Sequence, residues 1–159
     1  MKKTITDNKI ILTREGLTDL KAEYETLVNT KRKEVSERIK QAREFGDISE
    51  NAEYESAREE QAFVEGRISE LEEILNNVSV TTNSNTCRDQ VGLGCKVKVH
   101  IDGTEEEFQI VGAPEANPAE KKISHESPLG QALLGKKPGE KVAVETPSGK
   151  LVYTIITIK

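Results

Sequence analysis

Tryptophan is absent from the chain, and three Tyr and three Phe are its whole aromatic complement, 4% of 159 residues. Beside a charged share of 32%, that scarcity argues against one large core. Much of the chain must expose both sides of its secondary structure, as helical arms do. No apolar run approaches the roughly 18 residues that a membrane helix needs. The Lys2-Lys3 start leads into polar residues, not the apolar segment of a signal peptide. No membrane association is expected, and the expected location is cytoplasmic. A basic excess is also lacking. A formal net charge of -5 does not suit independent, sequence-specific binding of duplex DNA, which is driven by Lys and Arg neutralising phosphates; a partner should supply most of the binding surface. Cysteine is limited to Cys87 and Cys95. Two are too few for a disulfide scaffold, and with only His100 and His125 beside them they make a weak zinc set. Both are expected to behave as free, small apolar residues.

What the chain does have is helical periodicity. Thr13 is placed to cap a helix along which apolar residues recur at Leu17, Leu20, Tyr24, Leu27/Val28, Val35, Ile39 and Ala42. The spacing alternates threes and fours and slips near Lys31-Arg32-Lys33, as a coiled-coil stripe with a stutter does. Gly46 interrupts the pattern. From about Ser49 a second stripe follows through Ala57, Val64, Ile68, Leu71, Leu75 and Val78. Folding back at Gly46 sets Leu17 and Leu20 near Leu75 and Leu71, Tyr24 near Ile68, Val28 near Val64, and Ile39 near Tyr54. At ~1.5 Å per residue the arms predict a rod on the order of 40–45 Å long. The first arm is rich in Lys and Arg and the second in Glu, a pattern that inter-arm pairing on a solvated surface accounts for. Arg43 and Arg58 stand apart because they flank the tip.

At that tip Asp47 and Glu50 lie three positions apart, with Asp47 read as the cap of the second helix. Acidic residues in a first turn suit the helix dipole, and D-x-x-E is a common way to begin a helix. The same two carboxylates, at a projecting point, can also share a hard cation. Mg2+ takes one or two protein carboxylates and fills its other positions with water or phosphate. Such a tip is too open to hold the ion alone. It suits completion of a metal site built mostly by another protein and its nucleic acid, where a second metal serves phosphodiester hydrolysis. No cofactor is expected in the free protein.

Beyond Asn76-Asn77 a polar stretch from Thr81 to Thr86 reads as a linker. The period then changes to two: Cys95, Val97, Val99 and Ile101 alternate with Lys96, Lys98 and His100, Asp102-Gly103 turns the chain, and a strand returns through Phe108-Ile110. His100 falls on the polar side. Gly92-Leu93-Gly94 lacks the third glycine and the following helix of a dinucleotide fingerprint. Ile123-Ser124-His125-Glu126 reads as a strand, and Ser127-Pro128 opens a short helix ending at Gly135. Val142-Ala143-Val144 and Leu151 to Ile158 complete a small antiparallel sheet with one helix. The fold class is therefore α+β in two domains: a helical hairpin over residues 1–78, a linker over 79–88 and a small domain over 89–159.

Ala42 to Tyr54, followed by Ala57-Arg58-Glu59-Glu60-Gln61, resembles the tip motif of the bacterial Gre transcript-cleavage factors, closest to the GreA type. Ile123-Ser124 with Ser127-Pro128-Leu129-Gly130 and Ala132 to Lys136 resembles their C-terminal signature, and Thr13 to Leu17 the start of their first arm. Lys33 stands where proline is usual, Ile48 where leucine is, and Ala22-Glu23-Tyr24 departs from the usual Glu-Leu pair. The resemblance implies an antiparallel coiled coil that enters the secondary channel of RNA polymerase, and an FKBP-like C-terminal domain that docks at the channel rim. It implies that Asp47 and Glu50 help place a Mg2+ ion shared with the polymerase and the attacking water. Arg43 and Arg58 would contact the 3′ segment of a backtracked RNA, which is cut so that elongation resumes. The factor would be a monomer and not itself an enzyme. The alternative is an inhibitory paralogue that occupies the channel without stimulating cleavage. A prolyl isomerase is disfavoured by a small domain with only Phe108 and Tyr153 as aromatics, and a zinc-dependent channel regulator by the missing ligand cluster.

Overall fold

A computed structural model describes residues 9–46, 51–80, 87, 89–147 and 149–159. By packing, the chain forms two units, one of residues 17–77 and one combining residues 1–16 with 78–159. The expected hairpin domain of 1–78 thus gives up its first segment to the C-terminal unit.

The helical unit has a composite first arm: α1 (Arg14–Thr26), a π-helical turn (Leu27–Lys31) and α2 (Arg32–Glu44). Thr13 caps α1, its Oγ1 accepting from the Gly16 N–H at 3.0 Å. The π turn lies just before the expected slip at residues 31–33. A widened turn takes up a residue that the apolar stripe cannot place, so the stripe re-enters phase at Val35. The second arm is α3 (Ala52–Asn76), whose 25 residues span about 37 Å at 1.5 Å each.

Between the arms Val35, Ile39, Ala57, Val64 and Ile68 are buried together, with Tyr24, Leu27, Val28 and Tyr54 packed against them, the partners that folding back at Gly46 predicts. Each buried aliphatic side chain contributes about 1.5–3 kcal/mol. Inter-arm ion pairing is also present. Arg32 meets Glu65 through two bonds of 2.7 and 2.6 Å, and Arg67 meets Glu23 through 2.7 and 3.0 Å bonds. The Glu65 carboxyl is held below its ordinary range, first by its hydrogen bond with Arg32. That pair's contribution is therefore present above the unfolded carboxylate range and lost as pH falls through the folded value. Two positions of the expected stripe are corrected. Ile74 is buried where Leu75 was expected, and Val78 has left the helix for a strand.

That strand, β2 (Val78–Val80), pairs in parallel with β1 (Ile10–Leu12), Ile10 opposite Val78 and Leu12 opposite Val80. Neither was expected: three residues carry too little alternation to show a period, and the pair is separated in sequence by the whole hairpin. Leu12 is fully buried. Beside β1, the Glu115 carboxylate accepts from the Thr13 N–H at 3.2 Å and from the Gly112 N–H at 2.8 Å.

The main sheet has the order β5-β4-β3-β7-β6, from β3 (Lys96–Ile101), β4 (Thr104–Val111), β5 (Lys122–Ser124), β6 (Lys141–Thr146) and β7 (Gly149–Ile158). The β3–β4 hairpin turns at Asp102-Gly103 with Val97 and Val99 buried, as the alternation predicts. One edge departs from the expected antiparallel pattern: β5 runs parallel to β4, Ile110 opposite Ile123, because short 3-10 turns at Ala113–Glu115 and Pro118–Glu120 carry the chain back before it pairs. The helix α4 (Pro128–Leu133) opens as expected on Ser127, whose Oγ accepts from the Gly130 N–H at 3.0 Å. Leu133, Val142, Val144, Tyr153 and Ile155 join Val97, Val99 and Ile110 in the core.

The cysteines correct the free-thiol expectation. Cys87 and Cys95 form a disulfide across a sequence separation of 8. The chain bends between them at Gly94, whose φ of +87° favours glycine, and the Cys95 N–H reaches back to the Gly92 carbonyl at 3.3 Å. Closing so short a loop stabilises by about 2.5 kcal/mol on the chain-entropy account. Cys87→Ser is accordingly expected to lower the urea midpoint of unfolding under oxidising conditions, and a midpoint unchanged both by the substitution and by reductant would refute that contribution.

Candidate functional site

The end of the helical hairpin is built by three local devices. Ala42, 2% exposed, buries its side chain in the last turns of α2. Gly46 then leaves the helix with φ +123°, a conformation glycine adopts at little steric cost. On the return arm the N-cap of α3 is Asn51, whose Oδ1 accepts from the Glu53 and Tyr54 N–H groups at 3.1 and 3.2 Å. Its Nδ2 donates to the Ala42 carbonyl at 2.8 Å. One side chain therefore starts the second helix and ties it to the end of the first. This corrects the expected helix start near Ser49 with Asp47 as its cap. The D-x-x-E spacing outweighed an Asn directly before Ala52-Glu53-Tyr54, which is the signal that would have found it. Asp47 and Glu50 lie outside the described residues.

The arginines of this unit fall into two groups. Arg32, Arg38 and Arg67 are each engaged by carboxylates of the other arm; Arg38 bonds Glu53 at 2.7 Å and also pairs with Glu60. The Arg38 guanidinium is pushed above its ordinary value, first by the hydrogen bond with Glu53. Arg43 and Arg58 have no carboxylate partner among the described residues. Arg43 lies over the Tyr54 ring, 5.7 Å from its centroid, within cation–π reach, while Arg58 donates to the neutral Gln61 Oε1 at 2.7 Å. Among the described residues, two guanidiniums near the hairpin end therefore have no carboxylate beside them, each a planar fork suited to phosphate.

Elsewhere the candidates are structural. His125 lies with Nδ1 3.3 Å from the Val111 carbonyl, and His100 is an exposed strand residue. Tyr153 is buried in the sheet's core, and Phe108 is partly buried against that core. No group of His, Cys, Asp or Glu among the described residues is arranged to hold a metal, and no helix there is long and apolar enough to cross a membrane.

Two family models match the chain: "Transcription elongation factor, N-terminal" over residues 10–80 and "Transcription elongation factor, GreA/GreB, C-term" over residues 84–159. The transcription elongation factor GreA of Thermoanaerobacter pseudethanolicus is 52% identical over 152 residues, 94% of this chain and 97% of that protein. That of a Roseiflexus species is 50% identical over 157 residues, 98% of this chain and 100% of that protein. Among solved structures, the GreA factor homolog 1 (Gfh1) of Thermus thermophilus is 29% identical with a TM-score of 0.45, over 96% of this chain and 99% of that one.

Proposed function

The chain belongs to the GreA/GreB family of transcription elongation factors, and from that premise we propose that it acts on RNA polymerase by delivering the end of its helical hairpin to a backtracked RNA, whose cleavage by the polymerase it stimulates. The family match over both domains supports the first half of this reading. The observation that carries the second is the pair Arg43 and Arg58, which have no carboxylate partner among the described residues, in a unit whose Arg32, Arg38 and Arg67 are matched.

Each residue then has a physical task. Arg43 and Arg58 hold phosphates of the RNA 3′ segment through forked, charge-assisted bonds. Asp47 and Glu50, flanking the hairpin end in sequence, present two oxygen donors and no nitrogen or sulfur, a set that fits Mg2+ and is too small to hold it without further ligands. Held jointly with the polymerase, that ion would acidify water and stabilise phosphoryl charge. The carboxylates also orient a water by accepting its hydrogen bonds. The chain is not itself an enzyme on this reading, since the remaining ligands and the substrate are the polymerase's. It works as a monomer in the cytoplasm.

The test is to incubate backtracked polymerase complexes with the protein and Mg2+. Short 3′ RNA fragments, released faster than by the polymerase alone, are expected. Inhibition of elongation without fragments would replace this reading by channel occupancy. A second expectation concerns the arginines. Arg43→Ala combined with Arg58→Ala should weaken crosslinking to the RNA 3′ end and make cleavage more salt-sensitive, while leaving the melting temperature within about 2 °C, as surface changes without a paired carboxylate do. Unchanged crosslinking would return both to the solvated surface.

A further inference from the structure

Phe45 is 87% exposed in a chain that has three Phe in all. It stands at the C-terminal end of α2 as that helix's cap residue. It lines a cleft of about 180 Å³ together with Arg38, Gln41, Ala42, Asn51 and Glu53. Gln41 lies one helical turn behind Phe45, on the same face.

The chemistry of this cleft is specific. Its two charged lining groups, Arg38 and Glu53, bond each other at 2.7 Å, so the cleft favours a neutral occupant over an anion. Asn51 spends its amide on α3 and on Ala42, whereas the exposed Gln41 amide has no hydrogen-bond partner among the described residues. What the described residues leave is an exposed aromatic side chain, an amide with a donor and an acceptor that none of them engages, and room for one small planar group. Arg43 and Arg58, without a carboxylate partner among the described residues, lie on the same unit and are not among the residues that line the cleft. A neutral planar ring joined to an anionic backbone matches that division of labour, and a nucleotide of single-stranded RNA is such a ligand: bases stack on aromatic side chains while the backbone meets basic groups.

Resting on the reading above, we propose that Phe45 is a positioning residue that stacks against one unpaired base of the RNA 3′ segment, with the Gln41 amide bonding the edge of that base. The ring holds the strand in place while the carboxylates and the polymerase do the chemistry. Stacking tolerates any base because every base has a π face, so the contact adds hold without demanding a sequence.

The experiment uses full-length protein and backtracked polymerase complexes carrying a fluorescent adenine analogue at the RNA 3′ end. Fluorescence is read without Mg2+ and cleavage with it, for the wild type, Phe45→Tyr, Phe45→Leu and Phe45→Ala. Wild type and Phe45→Tyr should quench the analogue. Phe45→Leu and Phe45→Ala should lose the quenching and cleave roughly tenfold more slowly, within the range that base stacking supplies, while competing equally well for polymerase. Phe45→Leu matching wild type in both readouts would overturn the inference and make Phe45 an apolar contact with polymerase protein. Cleavage by wild type without any quenching would also overturn it and leave the proposed function intact. Quenching that depends on Phe45, without cleavage, would support stacking and overturn the cleavage reading instead.

Discussion

Asp47→Asn and Glu50→Gln should each abolish most of the stimulation of RNA cleavage, by on the order of 100-fold, the loss that follows removal of one preorganised polar group at a reacting centre. Both changes keep shape and remove charge, so competition for polymerase should stay near wild type. The architecture of the hairpin end sharpens the expectation for stability. The cap of α3 is Asn51, so losing either carboxylate should cost under about 0.5 kcal/mol. Asn51→Ala removes the cap and the tie to Ala42 together, and should cost about 1–2 kcal/mol. A cleavage assay and a urea titration on the three variants separate the roles. Near-normal cleavage by both acid variants at limiting Mg2+ would refute the assignment, whatever the stability data show.

Gly112→Ala should have a large effect on stability. Its backbone, φ -65° and ψ 158°, suits any residue, so the constraint is one of space alone. A Cβ at Gly112 would lie 2.0 Å from the Ile11 carbonyl oxygen, a backbone atom that cannot swing aside as the end of a flexible side chain can. The added methyl should push β1 from the Gly112–Glu115 turn, with loss of the bonds from Thr13 to Glu115. A cost of about 3 kcal/mol is expected, the upper end for overpacking. Amide exchange should quicken at Ile10–Leu12 and Val78–Val80. Gly66→Ala is the control, since nothing lies within 4 Å of a Cβ there and an exposed helical site should gain about 1 kcal/mol. Equal melting temperatures for the two variants would show that β1 is not held against the turn.

Local pattern alone determined the elements whose period runs long. The arms were legible because a buried seam must return every three or four residues for several turns, and Val35, Ile39, Ala57, Val64 and Ile68 do so. The β3–β4 hairpin and α4 were legible for the same kind of reason: strict alternation beside Asp102-Gly103, and a Ser-Pro helix start. The candidate residues Asp47, Glu50, Arg43 and Arg58 also came from the chain as a string, through their place beside Gly46. Only the tertiary structure decided the rest. Pairing of β1 with β2, the parallel edge at β5 and the Cys87–Cys95 bridge each join segments too short, or too far apart, for a period to announce them. Asn51 could be read as a cap from its place before Ala52-Glu53-Tyr54, but its tie to the Ala42 carbonyl across the hairpin could not, since no spacing along one strand encodes it. The distinction between Arg43 and Arg38 has the same origin. Both are arginines on one helix, and it is the opposite arm that gives Arg38 its carboxylates and leaves Arg43 the face of Tyr54.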